Sequence, residues 1–342
     1  MKDLWQKLQD ETRPVVLYGM GNGAQAVLKQ LDKIGVKPAG IFASDTFVRG
    51  QTFCGYTVER YDTLASCFSD MVILVCFGSN RREVLDYIDA LSQKHTVYCP
   101  DVPVCGDSLF DFDFAQKHSE QLRSVYELLS DEPSKKVFEN IVRFKLSGEM
   151  RYLRQIENSD GLFSPVLPLR NESFVDLGAY RGDTIEEFLS LSNEYAFICG
   201  VEPNIKTYNK LYRAFEDYPK MRLVHAAISD IDGTVSLASD GRGTTVSGSG
   251  KTVSAISLDT LLTDVDNVSL IKMDVEGHEH AAICGGKDLI LKHKPKMIVA
   301  GYHRSEDLFD LPLLVHSIRQ DYRILLRHSV HNLAWDTNFY FI

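Results

Sequence analysis

The sequence predicts an α/β protein with two Rossmann-like domains, because strand-like and helix-like segments alternate in two separate regions of a long chain. Its 342 residues exceed one ordinary domain and suffice for two hydrophobic cores. Apolar runs typical of buried strands alternate with helix-periodic runs, first between residues 15 and 105 and again from residue 173. Such alternation is typical of mostly parallel sheets covered by helices.

The chain divides into three parts in this prediction. Residues 1–105, which open with the strand-like VVLYG, form a small Rossmann-like domain. Residues 106–168 carry apolar residues at helical spacing and form a helical connector. Residues 169–342 form a larger Rossmann-like domain. Its last two strand-like runs, YRILLRH and NFYFI, have no long helix between them and predict an antiparallel edge hairpin.

Composition and charge restrict the function. The net charge of -10 leaves no basic surface for nucleic acid. We expect a cytoplasmic protein, because the chain shows neither a signal segment nor an apolar run of about 18 residues. The seven cysteines include no C-x-x-C pair and indicate reduced thiols. A small molecule or saccharide is the expected partner, and the oligomeric state is left open.

The first strand runs into the glycine-rich turn YGMGNGA, in which Gly19, Gly21 and Ala24 fit the spacing G-x-G-x-x-G/A. Asp45 closes the next strand and is a candidate acceptor for a ribose. Backbone N–H groups at such a turn can accept a phosphate, so the turn is a candidate site for a nucleotide or a nucleotide-linked ligand. The competing interpretation is that the glycines only allow close packing of strand and helix.

A second turn, FVDLGAYRGDT, has a carboxylate where the first has none. Asp176 ends the strand two residues before Gly178 and would attract an ammonium group rather than a pyrophosphate. S-adenosylmethionine carries such a group, and its carboxylate suits the N–H groups at the start of the next helix. Gly182 and Thr184 stand at that helix start, where the simpler role of Thr184 is to cap the helix.

The ends of the following strands agree with this ligand. Glu202 finishes the second strand and can accept both ribose hydroxyls, and Pro203 stops the strand. Small Ala227 at the end of the third strand leaves room for adenine. The predicted cofactor-binding set is Asp176, Gly178, Ala179, Tyr180, Gly182, Thr184, Glu202, Pro203, Ala227 and Asp274.

From about residue 170 to the end, the chain resembles the FkbM-type methyltransferases, a class I S-adenosylmethionine-dependent family. The resemblance rests on FVDLGAYRGDT, GVEPN, HAAISDIDG, IKMDVEGHEHAAICGG and KPKMIVAGYH. It implies O-methylation of a hydroxyl in a sugar, glycan or related metabolite. It also implies that Asp274, Glu276 and Glu279 lie on the active-site side. The N-terminal part resembles nucleotide-binding modules of bacterial glycan-modifying proteins. The chain departs from the family pattern at His278 and in AGYHRSED.

The candidate catalytic residues are Asp274, His303, Glu276 and His278. Asp274 and His303 follow neighbouring strands, and imidazole titrates near neutral pH, so His303 is the predicted general base with Asp274 orienting it or the substrate. A divalent metal bound by Asp274, Glu276, His278 and His303 is the second-ranked mechanism. The simpler roles are a helix cap for Glu276 and a backbone hydrogen bond for His303.

Two other functions compete with methyl transfer. The N-terminal glycine turn and Asp45 suit a nicotinamide-dependent oxidoreductase. Alternatively, the chain is a non-catalytic scaffold that binds a nucleotide or a glycan. The acceptor, the methylated atom and any use of metal are not defined by the sequence.

Overall fold

The computed structural model describes residues 2–163, 167–192, 194–240, 243–246 and 251–342. Within these ranges the strands form two large sheets and one small one. Both large sheets are mostly parallel and covered by helices, so the predicted α/β class is confirmed.

The first large sheet belongs to the N-terminal part. Its strands run in the order β3-β4-β2-β1-β5-β6, and among these pairs β3 and β4 are antiparallel. The elements are α1 (Leu4–Gln9), β1 (Val15–Tyr18), α2 (Asn22–Lys33), β2 (Gly40–Phe42), β3 (Thr52–Phe53), β4 (Tyr56–Glu59), α3 (Tyr61–Cys67), β5 (Val72–Val75), α4 (Arg82–Ser92) and β6 (Thr96–Tyr98), with a 3-10 turn at Asp45–Phe47. The central strands β1 and β5 are buried along their whole length, because helices cover both faces.

Four helices form most of the connector. They are α5 (Phe112–Lys117), α6 (Ser119–Leu128), α7 (Glu132–Ser147) and α8 (Arg151–Arg154). Asp131 caps α7 by accepting a hydrogen bond from the backbone of Ser134 at 2.8 Å, and a proline follows in the first turn. The connector also supplies a short strand, β7 (Glu157–Asn158), which the helical spacing did not indicate.

The second large sheet has the strand order β10-β9-β8-β15-β16-β18-β17-β7. Its strands after β7 are β8 (Glu172–Leu177), β9 (Tyr195–Val201), β10 (Met221–Val224), β15 (Leu270–Met273), β16 (Lys296–Ala300), β17 (Ile324–Ser329) and β18 (Thr337–Phe341). Its helices are α9 (Asp183–Leu191), α10 (Ile205–Phe215), α11 (Leu258–Leu261), α12 (Glu279–Cys284), α13 (Lys287–His293) and α14 (Asp307–Ile318). Strand β18 is antiparallel to β16 and β17, as the hairpin prediction requires, and β7 extends the sheet beyond that hairpin.

A small sheet is formed by the part of the chain that follows β10 and precedes β15 in the sequence. It consists of β11 (Ala227–Ile228), β12 (Gly233–Asp240), β13 (Gly243–Val246) and β14 (Lys251–Ile256). The glycine- and serine-rich stretch 238–252 reads as a loop from its composition. That interpretation is wrong for its described parts, which are strands, while 241–242 and 247–250 lie outside the described residues.

The two large sheets meet through the loops that follow their strands. Asn332, in the turn between β17 and β18, is fully buried. It accepts a hydrogen bond from the backbone of Ser79 at 2.6 Å and donates one to the carbonyl of Phe77 at 2.9 Å. Further along the interface, the backbone N–H of Cys105 donates to the carbonyl of His303 at 2.9 Å. The segment after β6 therefore lies against the loop that follows β16.

Gly178 allows the closest approach between strand ends in the second sheet. It follows β8, has φ of +79°, and a Cβ at this position would lie 1.9 Å from the carbonyl oxygen of Asp274. The distance leaves no room for any side chain, because backbone atoms cannot give way as a flexible side chain would.

Replacing this glycine tests the contact. We expect Gly178→Ala to lower the free energy of unfolding by about 3 kcal/mol or more, since it combines an unfavourable φ with a backbone clash. Gly50→Ala is the matched control, because Gly50 has φ of +71° and nothing within 4 Å of its Cβ position. Urea unfolding curves should show that the control loses only about 1–2 kcal/mol of its free energy of unfolding. Equal losses in the two variants would contradict the clash.

Candidate active site

Four neighbouring parallel strands bring the predicted site residues to one edge of the second sheet. Asp176 lies near the end of β8, Glu202 follows β9, Asp274 follows β15 and His303 follows β16. Because β9, β8, β15 and β16 are adjacent and parallel, their carboxyl ends line the same edge. The residues are therefore neighbours although about 130 positions separate the first from the last.

Asp176 is fully buried and faces a lysine. The distance from Lys272 Nζ to Asp176 Oδ1 is 3.3 Å, and the side chain of Lys272 is 10% exposed. The charge of Asp176 holds the pKa of Lys272 above its ordinary value against the effect of burial, so the lysine stays an ammonium. The carboxylate predicted to meet the ammonium group of a ligand thus already faces a cation of the protein.

Glu202 is the second buried carboxylate at this edge. Its Oε2 accepts a hydrogen bond from the backbone of Tyr180 at 3.1 Å, and its Oε1 accepts one from the backbone of Asn204 at 2.7 Å. Burial raises the pKa of Glu202 to about 7, although the two backbone hydrogen bonds oppose this shift. Each oxygen keeps a further acceptor position, so the carboxylate can still accept two ligand hydroxyls.

The turn after β8 is held by hydrogen bonds within the protein. The N–H groups of Gly178 and Ala179 both donate to the carbonyl of Val201, at 3.0 and 2.9 Å. Tyr180 adopts a φ of +49° and is 39% exposed. Gly182 packs so closely that its Cβ would lie 2.1 Å from the ring of Phe215. Much of the glycine pattern in FVDLGAYRGDT therefore serves packing.

The other predicted cofactor residues lie around this turn. Thr184 is half-buried in the first turn of α9. Pro203 follows Glu202 and accepts a hydrogen bond from His225 Nε2 at 3.0 Å through its carbonyl. Ala227 begins β11 and is buried.

His303 lies at the centre of a group of carboxylates. Its Nδ1 is 3.0 Å from Glu279 Oε1, and its Nε2 is 3.3 Å from Asp274 Oδ1 and 3.7 Å from Glu276 Oε2. His303 and Glu279 are buried, whereas the side chains of Asp274 and Glu276 are 31% and 37% exposed. The cluster thus has an open front, Asp274 and Glu276, and a buried back, His303 and Glu279.

These carboxylates change the proton affinity of the imidazole. Burial alone would lower the pKa of His303, but Glu279, Asp274 and Glu276 raise it to about 10. Burial opposes ionisation of Asp274 as well, but Lys272 and His303 hold its pKa below the ordinary value. An imidazole that already carries its proton is a poor general base at neutral pH, which argues against the role predicted for His303.

Glu276 has an unusual backbone at the front of the cluster. Its φ is +54°, a left-handed conformation that side chains other than glycine rarely adopt. Its carbonyl accepts a hydrogen bond from Cys105 Sγ at 3.1 Å, and burial raises the pKa of its carboxyl group. Backbone strain of this kind, at about 1–3 kcal/mol, clusters at functional sites.

His278 does not join the cluster. Among the described residues, the group with metal-ligand spacing consists of Asp274, Glu279 and His303. His278 is half-buried at the start of α12, and burial lowers the pKa of its imidazole. This group differs from the metal set named from the sequence, which has Glu276 and His278 in place of Glu279.

Comparison with known proteins identifies the domain that carries this edge. Residues 176–324 match the profile of the family described as "Methyltransferase FkbM domain". This matched region is called the FkbM domain below. No curated protein sequence matches the chain.

The whole fold is similar to the crystal structure of the methyltransferase FkbM from Methylobacillus flagellatus KT. That match has a TM-score of 0.75 and 21% sequence identity, and it covers 97% of this chain and 90% of that chain. Fibrillarin from Aeropyrum pernix in complex with S-adenosyl-L-methionine matches with a TM-score of 0.35 and 14% identity, over 54% of this chain and 71% of that chain. The first similarity includes both the FkbM domain and the N-terminal sheet.

The N-terminal glycine turn has a packing explanation for two of its glycines. A Cβ on Gly19 would lie 2.6 Å from the ring of Phe77, and one on Gly23 would lie 2.3 Å from the carbonyl oxygen of Cys76. Gly21 has nothing within 4 Å of its Cβ position. Asp45 is exposed and lies 3.8 Å from Arg60. A nucleotide at this turn stays a prediction.

Sequence reasoning missed two residues that shape the site of the FkbM domain. Tyr302 donates a hydrogen bond from its hydroxyl to Asp274 Oδ2 at 3.1 Å. Lys272 pairs with Asp176. The sequence indicates such a pair, because Lys272 is a charged residue within the apolar strand LIKM. A charged residue in a buried strand needs a buried partner of opposite charge, and the neighbouring strand β8 carries Asp176 as the register partner of Lys272.

The pair of Asp176 and Lys272 should be essential for stability. We expect Lys272→Met to lower the free energy of unfolding by about 3–5 kcal/mol, because it leaves a buried carboxylate unpaired. The double variant Asp176→Asn/Lys272→Met should lose less than the single variant. Lys29→Met, which breaks an exposed pair with Asp107 at 3.8 Å, is the control and should cost under about 1 kcal/mol. A Lys272→Met protein that unfolds at the wild-type urea concentration would refute the pairing.

Proposed function

We propose that this protein is an S-adenosylmethionine-dependent O-methyltransferase that acts on a hydroxyl of a sugar, glycan or related metabolite. The observation that carries the proposal is the carboxyl edge of the FkbM domain, where Glu202 and Asp274 follow two strands that flank β8. A class I sheet binds its ligand along this edge. No helix in the described part of the chain is long and apolar enough to cross a bilayer.

The cofactor would lie across the ends of β8 and β9. Glu202 would accept the two ribose hydroxyls with the free acceptor positions of its carboxylate. Tyr180, which is 39% exposed, lies next to this position, because its backbone N–H donates a hydrogen bond to Glu202. Asp176 would stabilise the site through its ion pair with Lys272, rather than bind the methionyl ammonium group directly.

The acceptor would bind at the open front of the carboxylate cluster. Carboxylates only accept hydrogen bonds, so Asp274 and Glu276 require a ligand that brings hydrogen-bond donors. A saccharide presents several hydroxyl donors close together and fits this requirement. The negative charge also disfavours a phosphate or carboxylate group directly at the methylated position.

We assign the proton transfer to Glu276 and the positioning of the acceptor to Asp274. Methyl transfer forms a bond between the acceptor oxygen and the methyl carbon while the sulfur keeps the electron pair of the broken bond. The hydroxyl proton passes to Glu276, the more exposed of the two front carboxylates. His303 faces carboxylates at both ring nitrogens and holds Asp274 in place. The N-terminal nucleotide ligand and the cytoplasmic location remain predictions from the sequence.

Cofactor binding gives the first test. We expect calorimetry to show binding of S-adenosylhomocysteine, with affinity weakened about 10- to 100-fold in Glu202→Gln, which loses charge-assisted hydrogen bonds. Because the pKa of Glu202 is about 7, wild-type affinity should increase between pH 6 and pH 8, and the variant should not show this increase. Glu216→Gln, on the exposed end of α10, is the control. Absence of any binding heat in the wild type would reject the methyl donor.

Methyl transfer to a panel of sugars and glycosides gives the second test. We expect Glu276→Gln to lower kcat by about 100-fold or more while S-adenosylhomocysteine still binds, since a proton acceptor acts in the chemical step. Exposed Glu186→Gln should keep wild-type turnover. Turnover of amines but of no hydroxyl compound would exclude O-methylation, and reduction of a nicotinamide cofactor would support an oxidoreductase instead.

A further inference from the structure

Three side chains of the carboxylate cluster form a compact set of ligand atoms. One atom from each of Asp274, Glu279 and His303 lies within 4.8 Å of the other two. The residues come from the tip of β15, the start of α12 and the loop after β16, so the fold rather than the local sequence assembles them. We propose that Asp274, Glu279 and His303 bind one divalent cation.

An unpartnered buried oxygen is the second observation. Glu279 is fully buried, and its Oε2 has no hydrogen-bond partner among the described residues. Its Oε1 accepts a hydrogen bond from the backbone of Val275 at 2.8 Å. A buried carboxylate oxygen without a partner is destabilising, because nothing compensates for the water that it loses. A cation bound to Glu279 would supply the missing interaction.

The balance of charge favours a cation as well. Asp274, Glu276 and Glu279 all lie within 3.7 Å of the single imidazole of His303. Lys272 is 4.0 Å from Asp274 but closer to Asp176, at 3.3 Å. The cluster therefore holds more negative than positive charge in a partly desolvated site, which is the usual setting of a bound divalent ion.

The donor set indicates which cation fits. Two carboxylates and one imidazole suit Mn²⁺, because carboxylates favour hard cations and an imidazole nitrogen binds transition metals better than Mg²⁺. Three protein ligands leave coordination positions open for oxygens of a ligand. In the proposed methyl transfer, on which this role depends, the cation would lower the pKa of the acceptor hydroxyl and Glu276 would take its proton.

The experiment measures metal binding separately from methyl transfer. Full-length protein, treated with a chelator and dialysed, is titrated with MnCl₂ in a calorimeter. We expect one site per chain, weakened at least about 10-fold in Glu279→Gln and in Asp274→Asn. Asp310→Asn, which changes an exposed carboxylate that pairs with His280 at 3.6 Å, should bind as the wild type does. Pulsed electron paramagnetic resonance of Mn²⁺-loaded wild type should show nitrogen coupling from one imidazole.

The outcomes separate this inference from the methyl-donor proposal. Wild-type protein that binds S-adenosylhomocysteine but no Mn²⁺ would overturn the cation site and leave the methyltransferase proposal intact. Equal Mn²⁺ affinity in the wild type and both cluster variants would also overturn it. If the variants do not fold, the spectrum of the wild type decides, since bound Mn²⁺ without nitrogen coupling excludes His303 as a ligand.

Discussion

The close approach of β8 and β15 at Gly178 is the constraint on which the site depends. The glycine lets the backbone after β8 come so near to Asp274 that a Cβ would lie 1.9 Å from its carbonyl oxygen. This proximity also places Lys272 beside Asp176, because the two residues are direct register partners on the paired strands. A single backbone requirement thus fixes both the buried ion pair and the position of Asp274.

The N-terminal part contributes to the same site through the segment after β6. Cys105 donates from its backbone to the carbonyl of His303 and from its thiol to the carbonyl of Glu276. Arg304 Nε also donates a hydrogen bond to the carbonyl of Gly277, the residue after Glu276, at 2.9 Å. The left-handed backbone of Glu276 is therefore held from outside the FkbM domain, which gives the N-terminal part a structural role whether or not its glycine turn binds a ligand.

Strand periodicity and turn chemistry were enough to predict the α/β class, the hairpin and the strand ends that carry Asp176, Glu202 and Asp274, because these features depend on local sequence. The partners of those residues could not be predicted in the same way. Whether Asp176 faces a ligand or Lys272 depends on strand register, and the small β-sheet shows that a glycine-rich composition still permits strands. The partners of these residues could be identified only from the order and register of the strands.

The surroundings of His303 show why the environment, rather than residue type, sets a catalytic role. An isolated imidazole would be the natural base for a hydroxyl at neutral pH. Here both ring nitrogens face carboxylates, so the ring keeps its proton as the counter-charge of the cluster. When the proposed cation binds, the ring releases that proton to solvent and the cation supplies the positive charge instead. In either state a positive charge, of the imidazolium or of the cation, offsets Asp274 and Glu279, which leaves Glu276, at the open front of the cluster, as the carboxylate able to receive a proton from the acceptor.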